Sequence, residues 1–126
     1  MKPPPPPGPP DIGDLRELVE QWARFTADLA ENGYSFDLDN WLNDVDVREL
    51  VLEALPMFGR EEMGELGLAL EQADRTFMAA TRAFRKCVWG TATAARERWT
   101  PEKNWWYFRT PHRSNGPLED ELGRIR

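Results

Sequence analysis

Residues 34–58, YSFDLDNWLNDVDVRELVLEALPMF, hold the densest mixture of large apolar residues and carboxylates in the chain. Two apolar stripes run through this stretch at the spacings of three and four residues that are typical of helices. The stripes consist of Leu38, Trp41, Leu42 and Val45, and then of Val47, Leu50, Val51, Ala54 and Leu55. Val47 follows Val45 at a step of two, which one apolar helix face cannot accommodate unless the chain turns.

This change of phase predicts two short helices. The predicted features are a helix near 38–43, a bend at Asn43-Asp44, a helix near 46–55 and an end at Pro56. Asp37 can cap the first helix, and Asp44 or Asp46 can cap the second, because a carboxylate accepts a hydrogen bond from the free N–H groups of a first turn. Proline disfavours helical geometry at the residue before it.

Longer helical patterns flank this stretch on both sides. From Asp14 to Glu31 the apolar residues fall on one face, with Asp14 and Glu17 spaced as a capping box and Asn32-Gly33 as a stop. Residues 60–88 carry a heptad-like seam that predicts one long helix. The seam consists of Met63, Leu66, Leu70, Ala73, Phe77, Ala80, Phe84 and Cys87.

The C-terminal part gives weaker signals. Residues 92–99 predict one or two helical turns, and Leu118, Leu122 and Ile125 predict a short amphipathic helix. The run Trp105–Phe108 is rich in β-favouring aromatic residues and predicts an extended segment. The predicted fold is therefore an all-α bundle of about four helices with an extended aromatic segment near the C-terminus.

Composition limits the domain organisation. Residues 1–10 form a proline tract, which predicts a disordered tail of polyproline II character, and residues 11–126 suffice for a single helical domain. The tract is not a secretory signal, and no apolar run is long enough to span a membrane. One cysteine, Cys87, excludes an internal disulfide and fits a cytoplasmic location.

Charge divides the chain into two halves. From Asp11 to Asp74 there are 17 acidic and 4 basic residues, a net −13, whereas residues 75–126 have 5 acidic and 11 basic residues, a net +6. Such a division favours binding to an oppositely charged partner, or else packing of the halves against each other.

The carboxylates Asp37, Asp39, Asp44 and Asp46 are the first candidate site. They do not match a calcium loop, because neither a glycine at position six nor a glutamate at position twelve follows Asp37 or Asp44. Helix capping and surface charge account for them, and they remain candidates for an acidic surface that contacts a basic partner.

Aromatic and basic residues interleave in the second half and form the second candidate site. The set consists of Trp89, Trp99, Trp105, Trp106, Tyr107 and Phe108 together with Arg82, Arg85, Lys86, Arg96, Arg98, Lys103 and Arg109. Three interpretations remain open: closure of the core, a protein interface, and a surface that binds nucleic acid. Trp105, Trp106 and Arg109 are the candidates for partner contacts.

No motif indicates an enzyme, a metal site or a cofactor. The single histidine, His112, has only Pro111 and Arg113 beside it, and no glycine-rich phosphate loop occurs. The sequence predicts a small, acidic, non-enzymatic protein-interaction domain, such as an inhibitor or immunity-type protein that covers a basic site on its partner. The alternative is binding of nucleic acid or another phosphate ligand through the Arg- and Trp-rich half.

Overall fold

The computed structural model describes residues 11–126, so the predicted proline tail at 1–10 lies outside the described residues. Helices account for 66% of the structure and strands for only two short segments, which confirms the predicted all-α class. The elements are α1 Ile12–Asn32, α2 Leu38–Ala54, a 3₁₀ turn Leu55–Met57, α3 Arg60–Met63, α4 Glu65–Ala80, β1 Thr81–Ala83, α5 Thr91–Glu97, a 3₁₀ turn Trp105–Phe108, β2 Arg109–Pro111 and α6 Leu118–Leu122. Within residues 11–126, none of the helices combines the length and apolar character that crossing a bilayer requires.

The first helix follows the prediction closely, but its cap lies three residues earlier. Asp11 and Asp14 each accept a hydrogen bond from the other's backbone N–H, at 2.8 and 3.0 Å, so Asp11 is the N-cap. The helix ends at Gly33, whose φ of +73° favours glycine. A Cβ at Gly33 would lie 2.9 Å from the carbonyl oxygen of Arg113, so this turn is also closely packed.

Helix α2 corrects the prediction of two helices with a bend at 43–44. It is one continuous helix because it is buried on more than one side and contacts α1, α6 and the aromatic 3₁₀ turn. Val45 and Val47 are 0% and 7% exposed although they lie on different faces. The change of phase in the apolar pattern therefore indicates a helix that packs against other elements on two sides. Asp37 is the N-cap, as predicted, and its carboxylate accepts from the Asn40 N–H at 3.0 Å.

The long helix predicted over 60–88 is also corrected. Gly64, with φ +46°, separates α3 from α4, and α4 stops at Ala80. The predicted seam is confirmed within α4, where Leu66, Leu70, Ala73 and Phe77 are buried and the helix packs along α1. Phe84 and Cys87 lie beyond the helix, on a segment that turns to meet the C-terminal region.

The aromatic run is a 3₁₀ turn, which corrects its prediction as extended, and the extended strand β2 begins directly after it. β2 pairs antiparallel with β1, with Arg82 opposite Thr110. Phe84 and Val88 continue this pairing by donating backbone hydrogen bonds to the carbonyls of Phe108 and Tyr107. The two strands thus hold the aromatic turn against the end of α4.

The core is one cluster of buried side chains, centred on aromatic residues. Trp22, Trp41, Phe77 and Trp106 are each at most 1% exposed. The predicted helical turns at 92–99 are present as α5, and the short helix predicted from Leu118, Leu122 and Ile125 is present as α6, which ends at Leu122. Leu118 and Leu122 of α6, with Ile125 after it, complete the core as their spacing predicts.

Candidate functional site

The four predicted acidic residues do not form one surface. Asp37 is occupied as the cap of α2, and Asp39 is exposed in the first turn. Asp39 and Asp46 are seven residues apart and therefore share one face of the helix, two turns from each other. Asp44 lies on another face, where its carboxylate accepts the Tyr34 hydroxyl at 2.6 Å.

The contact between Asp44 and Tyr34 is structural. Burial raises the pKa of the Asp44 carboxyl, the hydrogen bond from Tyr34 opposes this, and the charge of Asp28 adds to it. Burial and the neighbouring carboxylate also raise the pKa of Tyr34 far above its usual range, so the phenol remains a donor. This pair anchors the turn between α1 and α2.

Asp46 is held by two aromatic donors from the second half of the chain. Its Oδ1 accepts the Tyr107 hydroxyl at 2.7 Å and the Trp89 indole N–H at 3.1 Å. Among the described residues no hydrogen bond reaches its Oδ2. Asp46 is therefore oriented by neutral donors and keeps both its charge and an oxygen for a further partner.

Of the predicted contacts Trp105, Trp106 and Arg109, Trp106 is buried and the other two are half-buried. Trp106 is 1% exposed, and Trp105 packs edge-on against it with a centroid distance of 5.0 Å. The Arg109 guanidinium donates to the Thr81 hydroxyl at 2.7 Å and to the Thr81 carbonyl at 2.9 Å, and burial lowers its pKa. Trp106 therefore contributes to core closure, whereas Trp105 and Arg109 also retain exposed surface.

A buried polar network underlies the aromatic turn, and sequence reasoning missed it. Arg48 donates from Nε and Nη2 to both Asp74 oxygens at 2.9 and 3.0 Å, and the Trp22 indole donates to the same carboxylate at 2.9 Å. The guanidinium carbon also lies 4.8 Å from the Trp106 ring centroid. One sequence feature could have predicted the burial of Arg48: it follows Trp41 and Val45 at helical spacing on the same apolar stripe.

An open cleft lies between α2 and α5 and has a volume of about 490 Å³. Its walls combine aromatic, aliphatic and acidic side chains. The principal lining residues are Asp46, Glu49, Leu50, Trp89, Glu97 and Trp99, with Arg96 and Tyr107 at the same cavity. Leu50 is 47% exposed and Trp89 39% exposed, so the cleft presents a large apolar surface to solvent beside its carboxylates.

Glu49 supplies a second oriented carboxylate. Its Oε1 accepts from the amide of Asn104 at 2.8 Å, and Asn104 is 0% exposed. Burial raises the pKa of Glu49, the Asn104 hydrogen bond lowers it, and Glu53, Lys103 and Asp46 act on it through their charges. Sequence analysis selected Asp46, Trp89 and Trp99 of this cleft but not Glu49, Leu50 or Glu97, since only folding brings α5 beside α2.

Neither the single cysteine nor the single histidine of the chain lines the cleft. Cys87 is 2% exposed, burial raises the pKa of its thiol, and His112 is exposed elsewhere. In residues 11–126 no three His, Cys, Asp or Glu side chains converge as metal ligands would. Comparison with protein-family models, curated proteins and solved structures gave no match.

Proposed function

We propose that this chain is a small, non-enzymatic protein-binding domain whose cleft between α2 and α5 receives a basic side chain of a partner protein. The observation that carries this proposal is the combination of oriented carboxylates with exposed apolar surface in one cavity. Both features stabilise a bound guanidinium or ammonium group, because carboxylates form ion pairs with cations and aromatic faces attract them. Inhibition of the partner at a basic site remains the specific form that we favour.

The way the two charged halves pack supports this proposal. Neutral donors of the second half (Tyr107, Trp89 and Asn104) satisfy Asp46 and Glu49 of the first half. The described ion pair across the division is Arg75 with Glu71, and it lies within α4. Arg96 pairs with Glu97 at 3.7 Å within the cleft, which partly offsets that carboxylate. Because neutral donors do not cancel the charges of Asp46 and Glu49, the cleft keeps a net negative field that can attract a basic partner.

The cleft also has the features of a binding hot spot. Trp99 stacks on Tyr107 with a centroid distance of 4.1 Å, which makes this wall rigid. Trp89 is fixed by its bond to Asp46 while 39% of it stays exposed. Ordered tryptophan at the centre of an interface contributes strongly to affinity because little side-chain freedom is lost on binding.

The proposal is tested with an octa-arginine peptide and two variants that lose the same charge. The cleft variant is Asp46→Asn with Glu97→Gln, and the control is Asp120→Asn with Glu20→Gln, at exposed positions outside the cleft. Calorimetric titration at low and high salt should show at least a fivefold loss of affinity in the cleft variant and less than a twofold loss in the control. Equal losses in both variants would show general charge attraction and refute the proposal.

A further inference from the structure

A second groove, of about 400 Å³, lies beside the cleft along α5. It is lined by Ala94 and Arg98, whereas the cleft is lined by Thr93 and Glu97. At 100° per residue these two pairs lie about 100° apart around the helix axis. Arg85, Lys86 and Phe108 also line the groove. The two cavities share Trp99 and are otherwise lined by different residues.

The groove is basic where the cleft is acidic. Its described lining contains Arg85, Lys86 and Arg98 and no carboxylate side chain. Arg85 and Arg98 are exposed, and neither forms an ion pair with a described residue. Lys86 lines the groove, and its ammonium donates to the Ile125 carbonyl at 2.8 Å, a neutral acceptor that leaves its charge unpaired.

The backbone at Arg98 adds an independent observation. Arg98 has φ +60° and ψ +36°, and it is the one non-glycine residue with positive φ in residues 11–126. This is the position after a helix where glycine is usual, because a Cβ is disfavoured there. Strained conformations that persist often belong to functional side chains. Glycine would make the same turn without the guanidinium, so the side chain itself is the feature to be explained.

Aromatic surface accompanies these cations. Trp99 and Phe108 line the groove, and both are partly exposed. We propose that the groove binds one nucleotide unit, with its phosphate at Arg85, Lys86 and Arg98 and its base against Trp99 and Phe108. Guanidinium groups match phosphate oxygens in pairs, and bases of any sequence pack on aromatic rings. The volume is in the range of small-ligand sites.

The same chemistry is presented by a free nucleotide and by a unit of single-stranded nucleic acid. The net charge of −6 repels a long polyanion more than a mononucleotide. The probes are therefore AMP, inorganic phosphate, adenosine and a ten-nucleotide oligothymidylate, each titrated calorimetrically into the full chain at low salt. AMP or the oligonucleotide should bind at least tenfold more tightly than phosphate or adenosine, and the tighter of these two identifies the source of the unit.

A charge-matched pair of variants assigns the binding to the groove. Arg85→Glu with Arg98→Glu should weaken nucleotide binding at least tenfold, while Arg16→Glu with Arg24→Glu, at exposed positions of α1, should change it less than threefold. All four positions are exposed, and circular dichroism checks that each variant folds. Both variants should keep octa-arginine binding, which separates this site from the cleft. Three outcomes would overturn the proposal. The first is that neither AMP nor the oligonucleotide binds at concentrations up to about 1 mM, which corresponds to weak affinity. The others are an equal loss of nucleotide affinity in both variants and an affinity for inorganic phosphate equal to that for AMP.

Discussion

Replacing Asp74 by Ala removes the carboxylate that is shared by Arg48 and Trp22. The Arg48 side chain is 8% exposed and that of Asp74 is 22% exposed, so water cannot readily replace the lost acceptor. Three hydrogen bonds of 2.9 to 3.0 Å disappear together. The Nη1 atom of Arg48 already has no partner among the described residues, so the variant leaves the whole guanidinium without an acceptor.

The size of the effect follows from this burial. Removing one member of a buried ion pair typically costs about 3–5 kcal/mol, because an uncompensated charge remains. Partial exposure of Asp74 and the contact of Arg48 with the Trp106 ring, at 4.8 Å, favour the lower end, about 3 kcal/mol. Since a domain of this size is stable by about 5–15 kcal/mol, such a loss is large but measurable.

Urea denaturation of the two proteins measures this difference in the free energy of unfolding. Glu71→Ala is the matched control, because Glu71 lies on the same helix in an exposed pair with Arg75 at 3.6 Å and should cost less than about 0.5 kcal/mol. The double variant Arg48→Met with Asp74→Leu should be more stable than Asp74→Ala because no unpaired charge remains. It should stay about 1–3 kcal/mol below the parent, because the buried Trp22 indole N–H has lost its acceptor. A loss below about 1 kcal/mol for Asp74→Ala would refute the argument that this buried network stabilises the fold.

Three further outcomes are expected from denaturation experiments. Tyr107→Phe removes a 2.7 Å hydrogen bond to a carboxylate and should cost about 1.5 kcal/mol, whereas no loss would show that water replaces the phenol. Gly33→Ala should cost more than about 1 kcal/mol, because φ is +73° and the new Cβ would meet the Arg113 carbonyl at 2.9 Å; a neutral result would contradict the packing. Glu49 has a raised pKa in the fold, so its contribution to stability is present at low pH and is lost as pH rises through that pKa. Glu49→Gln should therefore gain stability relative to the parent from pH 4 to pH 7, by less than about 1 kcal/mol, and a gain that shrinks over this range would refute the assignment.

The predictable part of the fold is the part that local signals determine. In α1 the apolar face, the acidic cap and the glycine stop all lie within the helix or beside it, so the sequence contains what is needed. The end of α4 is different. Ala80 is followed by Thr81, whose hydroxyl and carbonyl are bound by Arg109, 28 residues away. Such a contact exists only after folding. The heptad-like pattern alone therefore predicted a helix that continues beyond the actual end of α4 at Ala80.

Helix α2 shows how periodicity fails when a helix has two buried sides. A single apolar stripe is expected of a helix that covers a core from outside. Because α2 lies between α1 on one side and α6 with the aromatic turn on another, Val45 and Val47 can both be buried without a bend. The cleft was unpredictable for the same reason, since its acidic wall depends on which face of α2 remains uncovered.

The conformation of the aromatic run determines both proposed sites. In an extended strand, neighbouring side chains point to opposite faces, so Trp106 and Tyr107 could not both be buried on one side. In the 3₁₀ turn they lie about a third of a rotation apart, and both are 1% exposed. Trp106 packs in the core while Tyr107 reaches Asp46 and lines the acidic cleft, and Phe108 lines the basic groove. The aromatic run at 105–108 therefore closes the core and also contributes to the two cavities of opposite charge. Burial of its aromatic residues is for this reason compatible with a binding function.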